Sequence, residues 1–544
     1  MSITRRELLR RAGTLAVTSL IPCFTACTDD EPGDDLPSYE WKGELGPDTL
    51  FSHGVASGDP LADSVILWTR ISSPDANDFE VFFEVALDPE FSERVAAGYV
   101  GMTDPAHDHT IKVDVEGLEP ATTYYYRFWA RGVSSRIART RTAPEGASDR
   151  LRFAVCSCAS LAHGYFHGYR SIAGRADLDA VLHLGDYIYE YASGDYGSVR
   201  EYDPQTECLS LDDYRRRHAQ YKLDPDLQEA HRQHPFITVW DDHEVANDGW
   251  TGGAENHDES EGDWATRKAG GMQAYFEWLP IREGEPGRVY RELPYGELVD
   301  LIVLDTRYTG RDQQIPLSDP DLLDKLNDPN RQLLGAEQEA WLFERLSGST
   351  SQWKLLAQQI LLGQIIITPG MDGQPNSPFI TDTWDGYEAA RQRLYAYITD
   401  HALTDVVVLT GDIHTSWANE LTPNPSDPAV YDPDTGAGVV SVEFVTPGIT
   451  SPGIAVDDAT KEFLLGINPH VKWVDIVKRG YMTIDVDADR IQCDWWHLTV
   501  EQVESPNPST PVHGAAWLVE TGVARLVEGS GPAPDKPAPP LLAP

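Results

Sequence analysis

Residues 180–190 read AVLHLGDYIYE, an apolar run that stops at a Gly-Asp step. Apolar runs of about four to eight residues bounded by turn residues are typical of strands buried on both faces. Four more runs have this form: LRFAVCSC (151–158), FITVWDDHE (236–244), DLIVLDTR (300–307) and VVVLTGDIH (406–414). Helical segments separate these strands, so the sequence predicts a large α/β domain.

Each of these strands ends at a polar cluster, and the clusters predict one shared site. In open α/β sheets the carboxyl ends of the strands meet at one edge, where ligands bind. The side chains that follow the strands include Cys158, Asp186, Tyr189, Asp242, Asp412 and His414. Carboxylates gathered at one edge repel each other unless cations neutralise them, so we expect two or more metal ions. A tyrosinate and a thiolate favour a strongly acidic ion such as ferric iron (Fe³⁺), and the remaining carboxylates suit calcium (Ca²⁺) or another divalent ion.

The N-terminal part, residues 46–146, has a different pattern. Short alternating runs are separated by Gly, Pro and Asp turns: VILWTR (65–70), FFEVALD (82–88), HTIKVDVEGL (109–118) and TYYYRFWAR (123–131). This pattern predicts a β-sandwich. The stretch LEPATTYYYR (118–127) resembles fibronectin type III domains, in which a tyrosine ties a loop back to the sandwich. Such modules are usually structural, and we assign no chemistry to this one.

Both ends of the chain are predicted to lie outside these domains. Residues 1–27 contain TRRELLR (4–10), a twin-arginine export pattern, and a short apolar stretch. The stretch ends in FTAC (24–27), which resembles a lipoprotein box with Cys27 as the lipidated residue. We therefore expect an exported protein that is periplasmic, cell-surface or extracellular, either lipid-anchored or freely secreted. Residues 28–45 are predicted to be an acidic linker, and residues 530–544 a disordered Pro-rich tail.

Charge and cysteine content exclude two classes of protein. The chain has 43 Lys and Arg against 87 Asp and Glu, a net charge of −44, so we expect no nucleic-acid-binding surface. Six cysteines in 544 residues are too few for a disulfide scaffold. Cys208 and Cys493 are predicted either to pair or to remain buried thiols, and the sequence does not choose between these outcomes.

The motifs carry a family resemblance. In order, GDYIYE (185–190), WDDHE (240–244) and GDIHTSW (411–417) resemble the metallophosphoesterase superfamily, and in this form the PhoD-type alkaline phosphatases. HGVASGDPLADSVILWTR (53–70) is similar to the opening of that family's N-terminal domain. The resemblance implies a metallophosphoesterase domain over residues 150–529, with a central two-sheet β core flanked by helices. The fibronectin-III-like sandwich would precede it.

The resemblance also implies which residues hold the metals. Cys158, Asp186 and Tyr189 match the family's iron ligands, and His414 occupies the usual ligand position of the last motif. Asp186 would also bridge to calcium. The further calcium ligands would be Asp242, Asp412 and Asn247, with Asp241 as the alternative to Asp242. The superfamily's mid-chain His strand appears here as WKLLAQQ (353–359), which shifts the metal choice away from two zinc or manganese ions.

The implied activity is hydrolysis of phosphate monoesters, and of diesters as well, through attack on phosphorus by a hydroxide or oxide held by the metals. Asp186 and His243 are the catalytic candidates, and His243 would orient the phosphate or protonate the leaving oxygen. Arg267 and Arg307 are candidates for holding substrate phosphate, with a structural ion pair between Asp305 and Arg307 as the alternative.

Two alternative functions remain open at this point. The protein could be chiefly a phosphodiesterase or a phospholipase-type hydrolase. From another class, it could be a metal-stabilised surface binding protein without catalytic activity. The oligomeric state and the natural substrate are not indicated by any motif.

Overall fold

The computed structural model describes residues 36–72, 79–366, 380–454 and 457–544. The predicted signal segment, the twin-arginine motif, Cys27 and residues 28–35 of the predicted linker lie outside the described residues. Within the described ranges, no helix combines the length and the apolar character needed to cross a bilayer.

The first sheet has ten strands among the described residues and extends through both predicted domains. In spatial order they are β22 (Val523–Glu528), β21 (Val512–Glu520), β20 (Arg490–Leu498), β19 (Arg479–Asp487), β9 (Arg150–Cys156), β10 (Ala180–His183), β11 (Pro235–Thr238), β1 (Val55–Gly58), β2 (Ser64–Arg70) and β5 (Thr110–Glu116). The strands β9, β10, β11 and β1 run parallel to their neighbours within this group. Because β1 pairs with β11, the predicted division near residues 146–150 separates two stretches of sequence that share one sheet.

The second sheet has seven described strands and packs against the first. In spatial order they are β12 (Arg291–Tyr295), β13 (Val299–Val303), β14 (Trp353–Ala357), β15 (Val406–Thr410), β17 (Ser441–Val445), β16 (Ser416–Leu421) and β18 (Val471–Asp475). The strands β13, β14, β15 and β17 are parallel. The predicted two-sheet core is therefore present.

Burial on both faces explains the unbroken apolar runs. Leu301 and Val407 belong to the core between the two sheets. Their neighbours Ile302 and Val408 point the other way, into a second core under the outer helices. Successive residues of a strand point to opposite faces, so both must be apolar when both faces are covered.

The N-terminal region forms the predicted β-sandwich. A third sheet packs on the β1–β2–β5 end of the first sheet and consists of β4 (Arg94–Met102), β3 (Glu80–Ala86), β6 (Thr123–Ala130), β7 (Val133–Ser134) and β8 (Ala138–Arg141). The hydroxyl of Tyr124 accepts a hydrogen bond of 2.8 Å from the backbone N–H of Glu119. This bond is the loop tie expected from the fibronectin-III-like stretch.

Helices cover the outer faces of the two large sheets. They are α1 (His167–Ala173), α2 (Leu211–Lys222), α3 (Pro225–Gln233), α4 (Trp264–Trp278), α5 (Leu322–Leu326), α6 (Gly335–Gly348), α7 (Glu388–Asp400), α8 (Asp458–Ile467) and α9 (Val500–Glu504). Local sequence sets their starts: Ser210 and Asp213 form a capping box for α2. Asp224 caps α3, in which Pro225 occupies the first position.

The prediction of a disordered C-terminal tail is wrong. Arg150 and Arg152 donate to the carbonyl oxygen of Pro534, and Ala543 exchanges backbone hydrogen bonds with the Gln233 side chain. Tyr125 in the sandwich donates to the carbonyl of Leu541 at 2.7 Å. Proline carbonyls remain good acceptors although proline has no N–H, so a Pro-rich segment can dock in an extended form.

The described part of the predicted linker also packs on the protein. Tyr39 stacks on Trp129 with ring centroids 5.4 Å apart, and its hydroxyl accepts from the backbone N–H of Gly132. Cys208 and Cys493 are buried free thiols in the structure. Of the two outcomes predicted for these cysteines, the structure shows the unpaired one.

Candidate metal centre and active site

The polar side chains predicted to converge do so at the carboxyl ends of the parallel strands. Cys158 follows β9, Asp186 follows β10, and Asp412 and His414 follow β15. All four have positive φ angles, 56°, 54°, 62° and 59° respectively. A non-glycine residue in this region costs on the order of 1–3 kcal/mol, and such strain concentrates at functional sites. The strand ends therefore turn sharply where these four side chains lie.

The turn after β10 depends on Gly185. Its φ is +104°, and a Cβ atom at this position would lie 2.3 Å from the Cβ of Asp241. Glycine is thus required both by its backbone conformation and by the close approach of the next strand end. This approach brings the Asp186 turn against the Asp241–Asp242 turn.

One ligand group contains a thiol, a carboxylate and an imidazole. Candidate ligand atoms of Cys158, Asp186 and His414 all lie within 4.8 Å of one another. The Tyr189 hydroxyl donates to Asp186 Oδ2 at 2.9 Å and lies 3.2 Å from His414 Nε2. The three residues predicted as iron ligands, Cys158, Asp186 and Tyr189, are thus gathered around His414, and all three are buried.

A second group consists of carboxylates around an arginine. Candidate ligand atoms of Asp241, Asp242 and Asp412 lie within 4.8 Å of one another, and Asp242 also groups with Asp186 and His243. The guanidinium of Arg307 is completely buried among them. It contacts Asp241, Asp412 at 2.6 Å and Asp242 at 3.6 Å.

Arg307 is held from the opposite side by Asp382, which accepts from it at 2.6 Å and from Arg311 at 2.5 Å. The predicted alternative of an ion pair with Asp305 is wrong. The Asp305 carboxylate accepts from the backbone N–H groups of Arg307 and Tyr308 instead. Asp305 therefore shapes the turn that carries the arginine.

His243 is oriented by a buried glutamate. Its Nδ1 donates to Glu190 Oε2 at 2.7 Å, and its ring packs on Tyr189 with centroids 4.2 Å apart. Burial would lower the pKa of His243, but Glu190, Asp242 and Asp186 outweigh it and hold the pKa well above the usual value. The carboxylates around His243 therefore favour the charged form of its ring.

The donor set fits cations. Asp186 Oδ1 and Asp241 Oδ2 are buried without any hydrogen-bond partner among the described residues. An unpaired buried carboxylate oxygen is costly unless a cation or donor reaches it. Burial and the neighbouring carboxylates also raise the pKa of Asp412, to about 8 against the opposing effect of Arg307. Thiol, phenol, imidazole and carboxylate donors together suit unlike ions better than a single type of ion.

Two predicted site residues are not brought into these groups. The guanidinium of Arg267 donates to Glu207 at 2.7 Å and Glu261 at 3.0 Å, and it binds none of the acidic residues around Arg307. Asn247 lies beside Glu190, to which its backbone N–H donates, and its side-chain amide donates to Glu255. Their roles as phosphate and calcium ligands remain predictions.

Comparison with known proteins gives the chain a family. The model of the PhoD-like phosphatase family matches residues 153–495. The model of the N-terminal domain of PhoD-like phosphatases matches residues 42–144.

The chain belongs to the PhoD-like phosphatase family.

Two relatives agree with this assignment. Alkaline phosphatase D of Bacillus subtilis (strain 168) is 38% identical over 514 residues, which cover 90% of this chain and 84% of that protein. A solved structure described as the structure of PhoD superposes with a TM-score of 0.80 at 36% identity, covering 91% of this chain and 94% of that one. The predicted fold and the predicted class, a phosphoric ester hydrolase of the PhoD type, are confirmed.

Sequence reasoning missed three residues that shape this PhoD-like site. Glu190 is the last residue of the GDYIYE motif, so its place in this motif could have marked it as a site residue. Asp382 and Ser451, which contacts Tyr189, follow no recognisable strand and match no motif of the resemblance. Only the folded chain brings these two residues to the site.

The raised carboxyl pKa values predict how the metal-free protein responds to pH. Burial raises the pKa of Asp412 and Glu244 to about 8, above the value of about 4 in an unfolded chain. The stability they contribute is present below pH of about 4 and is lost as pH rises through about 8. We expect the midpoint temperature of thermal unfolding of the metal-free protein to decrease as the pH is raised from about 4 to about 8. Saturating Ca²⁺ should restore this temperature.

The variant Asp412→Asn provides the matched comparison, because it removes one of the two titrating carboxyls while retaining its shape. Its midpoint should fall less steeply with pH than that of the unaltered protein, measured by calorimetry after metal removal. A metal-free midpoint that rises or stays level over this range would contradict the assigned protonation states.

Proposed function

We propose that this protein is an exported, metal-dependent alkaline phosphatase that hydrolyses phosphate monoesters and also diesters. The single observation that carries the proposal is that Cys158, Asp186, Tyr189 and His414 lie together beside Asp242, which groups with Asp186 and His243 on one side and with Asp241 and Asp412 on the other. This arrangement offers two unlike ligand sets within one cleft.

The chemistry of the donor atoms suits two different kinds of ion. Cys158, Tyr189 and His414, with Asp186, would hold Fe³⁺, and Asp186, Asp242, Asp412 and Asn247 would hold Ca²⁺ or another divalent ion. When bound, such ions supply Lewis acidity, which lowers the pKa of water and neutralises phosphate charge. The protein supplies the geometry, because the four positive-φ turns fix the directions of the donors.

The protein's own residues handle charge and protons near the phosphate. Glu190 accepts from His243 Nδ1 at 2.7 Å and favours the protonated ring, whose other nitrogen would donate to a phosphate oxygen or to the leaving oxygen. Arg307 donates to Asp241, Asp382 and Asp412 and lies 3.6 Å from Asp242, so it offsets carboxylate charge in the cleft, and its role in holding phosphate stays a prediction. Stabilising the negative charge on the transferring phosphoryl group in the transition state gives most of the rate increase in phosphoryl transfer.

The hydrolytic proposal predicts a loss of activity in Asp186→Asn. The substitution retains the shape of the side chain but removes the negative charge shared by both ligand groups, so hydrolysis should fall by about a thousandfold or more. Turnover of a chromogenic monoester and of a chromogenic diester is the measurement, and both substrates should be affected alike.

Asp400→Asn is the control for this variant, because Asp400 is exposed at the end of α7 and makes the same charge change away from the cleft. It should hydrolyse both substrates at the unaltered rate. Normal activity in Asp186→Asn would refute the site. Cleavage of the monoester but not the diester by the unaltered protein would restrict the function to monoesters.

The metal proposal predicts both composition and colour. Elemental analysis of purified protein should find iron and calcium, and Tyr189 bound to Fe³⁺ should give a visible charge-transfer band that Tyr189→Phe abolishes. A fully active protein without iron or without this band would refute the iron assignment while leaving the hydrolase standing.

The export proposal rests on the TRRELLR sequence and the FTAC sequence, residues 4–10 and 24–27. Expression of the full chain in a bacterium with a twin-arginine pathway should yield processed protein outside the cytoplasm. Replacing Arg5 and Arg6 by Lys should retain it inside. Mass spectrometry of the processed N-terminus distinguishes a lipidated Cys27 from free secretion. The export proposal would be overturned if the unaltered protein, like the Arg5 and Arg6 variant, remained unprocessed in the cytoplasm.

A further inference from the structure

The chain leaves the second sheet after β17 and crosses to the first sheet next to the turn that carries Cys158. Thr446 Oγ1 donates to the carbonyl of Val155 in β9 at 3.1 Å. The next residues, 448–453, read GITSPG and run alongside the turn that carries Cys158. This 448–453 segment belongs to none of the motifs on which the family resemblance depends.

Backbone hydrogen bonds fasten the 448–453 segment to the Cys158 turn. The N–H of Ile449 donates to the carbonyl of Ser157 at 2.9 Å, and the N–H of Ser451 donates to the carbonyl of Cys158 at 3.2 Å. The Thr450 hydroxyl donates to the carbonyl of Ser160 at 2.7 Å. The segment is therefore held in a fixed register relative to the thiol.

Ser451 reaches the phenol oxygen of Tyr189. Its hydroxyl is completely buried and donates to the Tyr189 oxygen at 2.6 Å. The backbone N–H of Ser160 donates to the same serine oxygen at 3.3 Å, which leaves the serine hydrogen free to point at the tyrosine. Tyr189 in turn donates its own proton to Asp186, so its oxygen already accepts from Ser451 before that proton is lost.

Pro452 reaches the imidazole of His414. The ring Nδ1 donates to the carbonyl of Pro452 at 3.1 Å. A carbonyl only accepts, so this bond fixes the tautomer in which Nδ1 is protonated and Nε2 carries the free lone pair. It is Nε2 that lies nearest to the Tyr189 oxygen and Asp186.

We propose that the 448–453 segment is a positioning element for three metal ligands, in which Ser451 orients the Tyr189 oxygen and Pro452 presents His414 through Nε2. This inference rests on the proposed iron site and deepens it. Hydrogen bonds from outside the ligand set orient ligands and tune the bound metal. A donor to the Tyr189 oxygen draws electron density from it, so Ser451 would lower the energy of the electrons that this oxygen offers to a bound ion.

The experiment compares Ser451→Ala with the unaltered protein, both loaded with Fe³⁺. Without the serine donor, the phenolate electrons lie higher in energy. The tyrosinate band should then move to longer wavelength, and the reduction potential of the iron should fall. Iron should also dissociate more readily, with affinity weaker by about 10- to 100-fold. Absorption spectroscopy, spectroelectrochemistry and chelator competition measure these three quantities.

Ser441→Ala is the matched control. Ser441 is also buried, and its alanine variant loses the hydrogen bond that the hydroxyl donates to the carbonyl of Val406 at 2.8 Å, but Ser441 lies at the opposite end of β17. Its band and potential should equal those of the unaltered protein. Ser451→Gly is a second hydroxyl-free variant and should show the same shift if Ser451→Ala does not fold.

The outcomes separate this inference from the proposed function. A tyrosinate band that requires Tyr189 but does not move in Ser451→Ala overturns the role of the segment and leaves the iron site intact. Shifts of equal size in Ser451→Ala and Ser441→Ala also overturn it, because they would show only a general loss of packing. An iron-loaded protein without any tyrosinate band removes both the iron assignment and the inference.

Discussion

Mutual repulsion among buried carboxylates is the constraint on which the site depends. Asp241, Asp242, Asp382 and Asp412 all surround the guanidinium of Arg307. Two like charges 4 Å apart repel by about 4 kcal/mol at an effective dielectric constant of about 20. Arg307 and Arg311 together cannot neutralise four carboxylates, so the remaining charge must be relieved by protonation or by bound cations. Burial first, and this repulsion in addition, raise the pKa values of Asp241 and Asp412.

The two-sheet core provides the rigidity that such a cluster needs. Parallel strands of both sheets end at the same edge, and their buried faces leave little freedom for the turns that follow. Gly185 permits the closest of these approaches, and the strained turns at Cys158, Asp186 and Asp412 are held by the packing around them. The favourable free energy of core burial thus offsets the local cost of gathering the ligands.

Segments that connect the strands also hold the site residues in place. The 448–453 segment joins the Cys158 turn to Tyr189 and His414, and Glu190 joins His243 to the same region. Elsewhere the C-terminal tail joins the first sheet to the sandwich through its carbonyl oxygens. In each case the connecting segment makes hydrogen bonds to buried polar groups. Irregular backbone inside a protein is stable only when its buried polar groups are hydrogen-bonded in this way.

The sequence alone determined the strands, the sandwich and the chemical types gathered at the site. Apolar runs that end at Asp186, Asp242 and His414 are local patterns, so they can be seen without a fold. Tertiary structure alone decided which carboxylates Arg307 binds, that Arg267 lies with Glu207 instead, and that Ser451 supports Tyr189. These contacts join residues far apart in the chain, and their distances follow from how two sheets pack rather than from any periodicity.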